Sequence, residues 1–160
     1  MITGEQLTTY VNIYKDTVFR VAFNYLKNRS DADDITQNAF IKLYRSNKTF
    51  ASDAHIKHWL IRVTINECKL ALLSPWRRTE PIESYIDSLS FETPEQSELF
   101  EMVLKLPAKY RVAILLYYFE DYSTVEIARL MGIPDATVRT HLKRAREKLK
   151  SKLTEEEINA

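Results

Sequence analysis

Two glycines and one cysteine in 160 residues exclude several classes of function at once. A phosphate-cradling loop needs several glycines to bring backbone N–H groups against a ligand, and none can be built here. The lone Cys68 has no partner for an internal disulfide, and its place in an apolar helical stretch marks it as a packed thiol. No GxSxG elbow, HExxH pair or CxxC pair occurs, so catalysis has no visible home and no cofactor is expected. His55 and His58 lie three apart and could share a helix face, but a metal needs at least one further good ligand, so no metal site is expected.

Long apolar runs are missing as well. The longest, Val112 to Phe119, is far shorter than the roughly 20 residues of a spanning helix. The opening MITGEQLTTYVNIYKD lacks a signal-peptide pattern, so no membrane insertion and a cytoplasmic location are expected. Alternating apolar patterns are few and helix formers abundant, which predicts an all-α protein without a sheet. The net charge of +1 hides an uneven distribution: Thr79 to Glu101 carries seven acids and no Lys or Arg, between two more basic blocks. With Pro81, Pro94 and several serines, residues 79–93 read as a flexible acidic linker between a domain over 1–78 and another over 94–160.

What is present is helical punctuation. A first helix is predicted from about Gly4 to Lys27, with Leu7, Val11, Tyr14, Val18, Val21 and Tyr25 on one side. Ser30 with Asp33 three residues on has the form of a capping box, opening a second helix that runs through about Arg45. Its stripe Ala32, Ile35, Ala39 and Leu43 is an ordinary core face. Asp33, Gln37, Phe40 and Tyr44 form a second stripe with two readings, a partner-binding surface or a further packing face within a bundle.

A third helix is predicted from about Asp53 to Leu73, with Ile56, Leu60 and Val63 toward the core. Its other stripe, Trp59, Arg62, Asn66 and Lys69, followed by Trp76, Arg77 and Arg78, sets rings among cations. That suits single-stranded nucleic acid, where bases stack and phosphates meet charge, and it equally fits a core Trp with a solvated basic flank. Beyond the linker, Thr93, Pro94 and Gln96 open a helix that Pro107 stops. PAKYRVAILLYYFED follows as the apolar centre of a small bundle, and the C-terminal TEEEINA reads as a solvated tail.

The most informative stretch is STVEIARLMGIPDATVRTHLKRAREKLKSKL. Ser123 with Glu126 forms a capping box, Gly132 can close the helix in the left-handed conformation, and Pro134 blocks its continuation. Asp135 offers a carboxylate to the N–H groups that open the next helix. There Val138, Leu142, Ala145 and Leu149 make a packing stripe. Arg139, Lys143, Arg144, Arg146, Lys148, Lys150 and Lys152 surround it against the single acid Glu147. Small Ala128, the turn chemistry and the confinement of cations to the second helix agree with a DNA-binding helix-turn-helix.

Together these pieces resemble the extracytoplasmic-function sigma factors, two-domain initiation subunits of bacterial RNA polymerase. SDADDITQNAFIKLYR is similar to the family's polymerase-binding helix, and HIKHWLIRVTINECKLAL to its promoter-melting helix. LPAKYRVAILLYYFEDYSTVEIARLMGIPDATVRTHLKRAREKL is similar to its second domain. The resemblance implies core RNA polymerase, promoter DNA and an anti-sigma factor as partners. It implies that Asp33, Asp34, Gln37, Phe40 and Tyr44 grip the polymerase clamp. Phe50, His58, Trp59, Arg62, Asn66 and Lys69 would handle the opened element near position −10, a flipped base entering a pocket of the loop Phe50 to His58 and the helix start. Thr137, Arg139, Thr140, Lys143, Arg144 and Lys148 would meet the element near −35. The chain departs from the pattern at LLSPWRRTE, where members often carry a run of arginines, and at Pro134, where many have Ser. A stand-alone helix-turn-helix repressor or response regulator would share only the last stretch; an adaptor with protein contacts alone would not need the cations of residues 139–152.

Overall fold

The computed structural model describes residues 1–75 and 91–159, with side chains described through Ser151. Every regular element among the described residues is helical, and the chain divides into two compact units, Met1–Ser90 and Phe91–Ala160. The expected linker lies mostly outside the described residues, as do Trp76, Arg77 and Arg78. The last residues assigned to the linker belong to the second unit: the Phe91 ring packs 5.2 Å from Phe100, and Thr93 caps the helix that follows.

In the first unit, α1 (Gly4–Leu26) opens on a capping box between Thr3 and Gln6 and ends at Lys27, whose φ of 51° takes the left-handed conformation. It packs against the two other helices among the described residues of the unit, α2 (Arg29–Arg45) and α3 (Asp53–Ala71). Its C-terminal end is therefore covered on every side: all residues from Val21 to Leu26 are buried, not only the predicted stripe. The start of α2 differs from expectation. Asn28, not Ser30, is the cap; its side-chain oxygen accepts the Asp31 N–H at 2.9 Å, so the helix begins before the Ser30 motif. Ala32, Ile35, Ala39 and Leu43 are buried as predicted, and so is Cys68.

In the second unit, α4 (Pro94–Leu104) starts where Thr93 accepts the Gln96 N–H at 3.1 Å. After Pro107, α5 (Ala108–Ile114) continues into a π-helical turn over Leu115–Phe119, a widening the sequence pattern did not forecast. The Glu120 N–H reaches back to the Leu115 carbonyl at 3.2 Å, and Asp121 adopts a φ of 58° to leave the turn. The rings of Phe100 and Phe119, 5.7 Å apart, close this core. Two further helices complete the unit, α6 (Thr124–Met131) and α7 (Asp135–Asn159). The expected C-terminal tail is helical in its backbone: α7 runs through it to Asn159, since TEEEINA holds no glycine or proline to stop a helix.

Candidate functional site

The helix-turn-helix forms by the local chemistry of its sequence. Glu126 N–H donates to Ser123 Oγ at 3.2 Å while Ser123 N–H donates to Glu126 Oε1 at 3.1 Å, the reciprocal capping box. Gly132 takes a φ of 70°, and the N–H groups of Gly132 and Ile133 both end on the Ala128 carbonyl. The Pro134 carbonyl then accepts from Thr137 and Val138 at 3.0 and 3.1 Å, which starts α7 at Asp135. The Asp135 carboxylate does not take the role expected of it: its Oδ2 pairs with Arg139 at 3.2 Å, one turn along.

Along α7, Val138, Leu142, Ala145 and Leu149 are all buried, so the packing stripe is fully used. The remaining faces are left to solvent with Arg139, Thr140, Lys143, Arg144, Lys148 and Lys150, while Thr137 is partly buried. Steps of four residues align Arg139 with Lys143, and Thr140 with Arg144 and Lys148, on adjoining lines of the helix. Arg146 is engaged within the unit: its Nε donates to the Tyr118 hydroxyl at 2.7 Å, with its guanidinium over the Tyr117 and Tyr118 rings. The side chain of Lys152 lies outside the described residues.

On α2, Asp33, Asp34, Gln37 and Tyr44 are exposed, Tyr44 at 48%. Phe40 corrects the surface reading of that stripe. It is 6% exposed and belongs to a core cluster with Val18, Ala39, Leu43, Ile56 and Leu60. The cause is angular: at about 100° per residue, Phe40 is rotated roughly 60° back from Gln37 toward the core stripe. Ile41, four past Gln37, turns the other way and is 44% exposed. An apolar residue beside Gln37 and Tyr44 and off the core stripe was the signal that would have found it.

The loop before α3 is held by rings. Phe50 packs edge-on to His55 and Trp59, with centroids 5.2 and 5.7 Å away. Ser52 caps α3 by accepting the His55 N–H at 3.2 Å, and His55 Nδ1 accepts the Ala51 N–H at 3.1 Å. Tyr14 donates to the Asp53 carbonyl at 3.3 Å; burial first, then the negative charge of Asp53, pushes its phenol up and keeps it a donor. Trp59 and Phe50 both rest partly buried on the core cluster, so the core reading of Trp59 and the exposed basic stripe hold together. Arg62, Asn66 and Lys69 are exposed, and His58 is partly buried; the histidine that packs on the Phe50 ring is His55. Among the described residues no three His, Cys, Asp or Glu side chains converge as metal ligands, and no helix is long and apolar enough to cross a membrane.

Comparison with known proteins agrees with this geometry. Residues 10–78 match Sigma-70 region 2, and residues 96–149 match Sigma-70, region 4. The chain is 30% identical to the ECF RNA polymerase sigma factor SigW of Bacillus subtilis, over 89% of this chain and 86% of that protein. It is 31% identical to the RNA polymerase sigma factor SigV of the same organism, over 98% of this chain and 96% of that one. In fold it is similar to the sigma factor RpoE of Bartonella quintana, crystallised in complex with the anti-sigma factor NepR. The TM-score is 0.69 at 17% identity, over 94% of this chain and 98% of that one. Two all-helical units, a basic helix-turn-helix and near full-length similarity to these relatives lead to one conclusion: the chain belongs to the extracytoplasmic-function sigma factors of RNA polymerase.

Proposed function

We propose that the chain divides the work of promoter recognition among three surfaces. The exposed face of α2, Asp33, Asp34, Gln37, Ile41 and Tyr44, grips the clamp of core RNA polymerase, with Phe40 supporting it from beneath. Phe50, His58, Trp59, Arg62, Asn66 and Lys69 handle the opened strand of the element near −10, rings stacking on bases and cations meeting phosphates. Thr137, Arg139, Thr140, Lys143 and Arg144 meet bases and phosphates of the element near −35 in the major groove, and Lys148 holds a phosphate. Arg139 reaches guanine only by exchanging its Asp135 partner for a base edge.

The observation that carries this reading is the full burial of the α7 packing stripe, which turns a row of cations to solvent where duplex phosphates can meet them. The chain acts by binding and leaves catalysis to polymerase, in the cytoplasm. Restraint by an anti-sigma factor is supported by the fold neighbour crystallised in complex with one. The test mixes the protein with core polymerase and genomic DNA and maps transcript starts. Starts at a common sequence element, absent with core enzyme alone, are expected. Duplex binding without any start would make the chain a stand-alone DNA-binding regulator.

A further inference from the structure

Side chains of α5 and α7 meet beside the cationic face of α7. Tyr110, 5% exposed, stands edge-on to the His141 imidazole with centroids 5.6 Å apart. Lys109 places its Nζ 5.1 Å from the Tyr110 ring centroid. Arg144 lies three residues beyond His141 on the same side of α7; its guanidinium is the main reason the Tyr110 phenol is held below its ordinary value, against the effect of burial. His141 is held below its ordinary value by burial first, then by the positive charge of Lys109 and Arg144. Its Nδ1 is shut off from water without a hydrogen-bond partner among the described residues.

Among the described residues neither Lys109 nor Arg144 pairs with a carboxylate, although Arg139 on the same helix does. Two fixed cations beside one phenol and an imidazole repel each other and disfavour a proton on that imidazole, and an oxyanion between the cations would reverse the sign of that interaction. Arg144 belongs at the same time to the exposed line that Thr140 and Lys148 share. We propose that Lys109 and Arg144, braced by Tyr110 and His141, form a phosphate site that takes one backbone phosphate of the promoter duplex beside the bases met by α7. The start of α5 is then part of the DNA interface, and a contact from a second helix fixes the angle at which α7 enters the groove. This rests on the reading of α7 as the duplex-binding helix.

The test uses the full chain assembled with core polymerase on a promoter fragment from the mapped starts, over a salt series, with single phosphates replaced by neutral methylphosphonates. Lys109→Gln is expected to weaken binding roughly 3- to 10-fold and to lower the salt slope by about one phosphate contact. One methylphosphonate near the −35 element should cost the wild type a similar factor and cost Lys109→Gln nothing more. Scrambling the element should leave the Lys109 effect unchanged. Unaltered salt slope and methylphosphonate effects in Lys109→Gln overturn the site while the wild type still binds its promoter. No promoter-specific binding by the wild type removes the functional reading and the site together. Inorganic phosphate is the control for a free anion: if it saturates the His141 imidazole shift in the NMR spectrum at millimolar concentration while Lys109→Gln binds DNA normally, the DNA assignment is overturned.

Discussion

Helices α2 and α7 carry similar numbers of suggestive residues, yet their surfaces were unequally visible in the sequence. On α7 the buried stripe is wholly apolar and the outer faces are cationic, so charge separates the two at a glance. On α2 the boundary runs between residues of like character: Phe40 is core, while Ile41 and Tyr44 are exposed. The difference shows that composition locates a surface built on charge, whereas one built on apolar side chains is located only by rotation about the helix axis and by what packs against it.

The largest expected effect sharpens that contrast. Phe40→Ala empties a position in the core cluster and should cost about 3–5 kcal/mol of stability in the first unit. Urea unfolding checks it, and a loss below about 1 kcal/mol would return Phe40 to the surface. Tyr44→Ala should do the reverse, leaving unfolding unchanged and weakening core-polymerase affinity by about 1–3 kcal/mol as an interface anchor. An equilibrium titration with labelled core enzyme reads that number. Ser123→Ala removes the capping box of α6 and should destabilise the second unit by about 0.5–2 kcal/mol, read from its own unfolding transition.

The smallest effect is a pH dependence. His141 has a folded value below its ordinary 6.5, so the unfolded chain takes up its proton first. Its contribution to stability is complete above 6.5 and is lost as pH falls through that value toward the folded one. Denaturation midpoints of the second unit should decline over that window. His141→Gln should flatten the decline, and an unchanged pH profile in the variant would show that neither burial nor the charges of Lys109 and Arg144 hold the imidazole below its ordinary value.

Much of the fold was legible because its signals are local. Thr93, Ser123 and Gly132 act on backbone groups within a few residues, and each stands where the sequence placed it. The misreadings have physical causes too. Two caps competed at the start of α2, where Asn28 offers an oxygen two residues before Ser30. Asp135 was read as a cap because a carboxylate at a helix start usually is one, but Arg139 one turn away claims it. The π-helical turn over Leu115–Phe119 ends where Phe119 packs with Phe91 and Phe100, and no periodicity within one helix encodes that contact. Trp59 had two readings on sequence because it serves both, resting on the core while its helix exposes cations.

In the proposed division of work, the α2 face sets how much polymerase is engaged while the α7 face sets where it starts. Genome-wide mapping of transcript starts with reconstituted holoenzyme tests it directly, comparing wild type, the double variant Ile41→Ala with Tyr44→Ala, and Arg139→Ala. The α2 variant should lower every transcript in proportion and leave the starts unmoved. Arg139→Ala should lose about 1–3 kcal/mol on the preferred −35 element and redistribute starts toward promoters differing at one or two base pairs. A uniform loss from Arg139→Ala, or shifted starts from the α2 variant, would contradict the division.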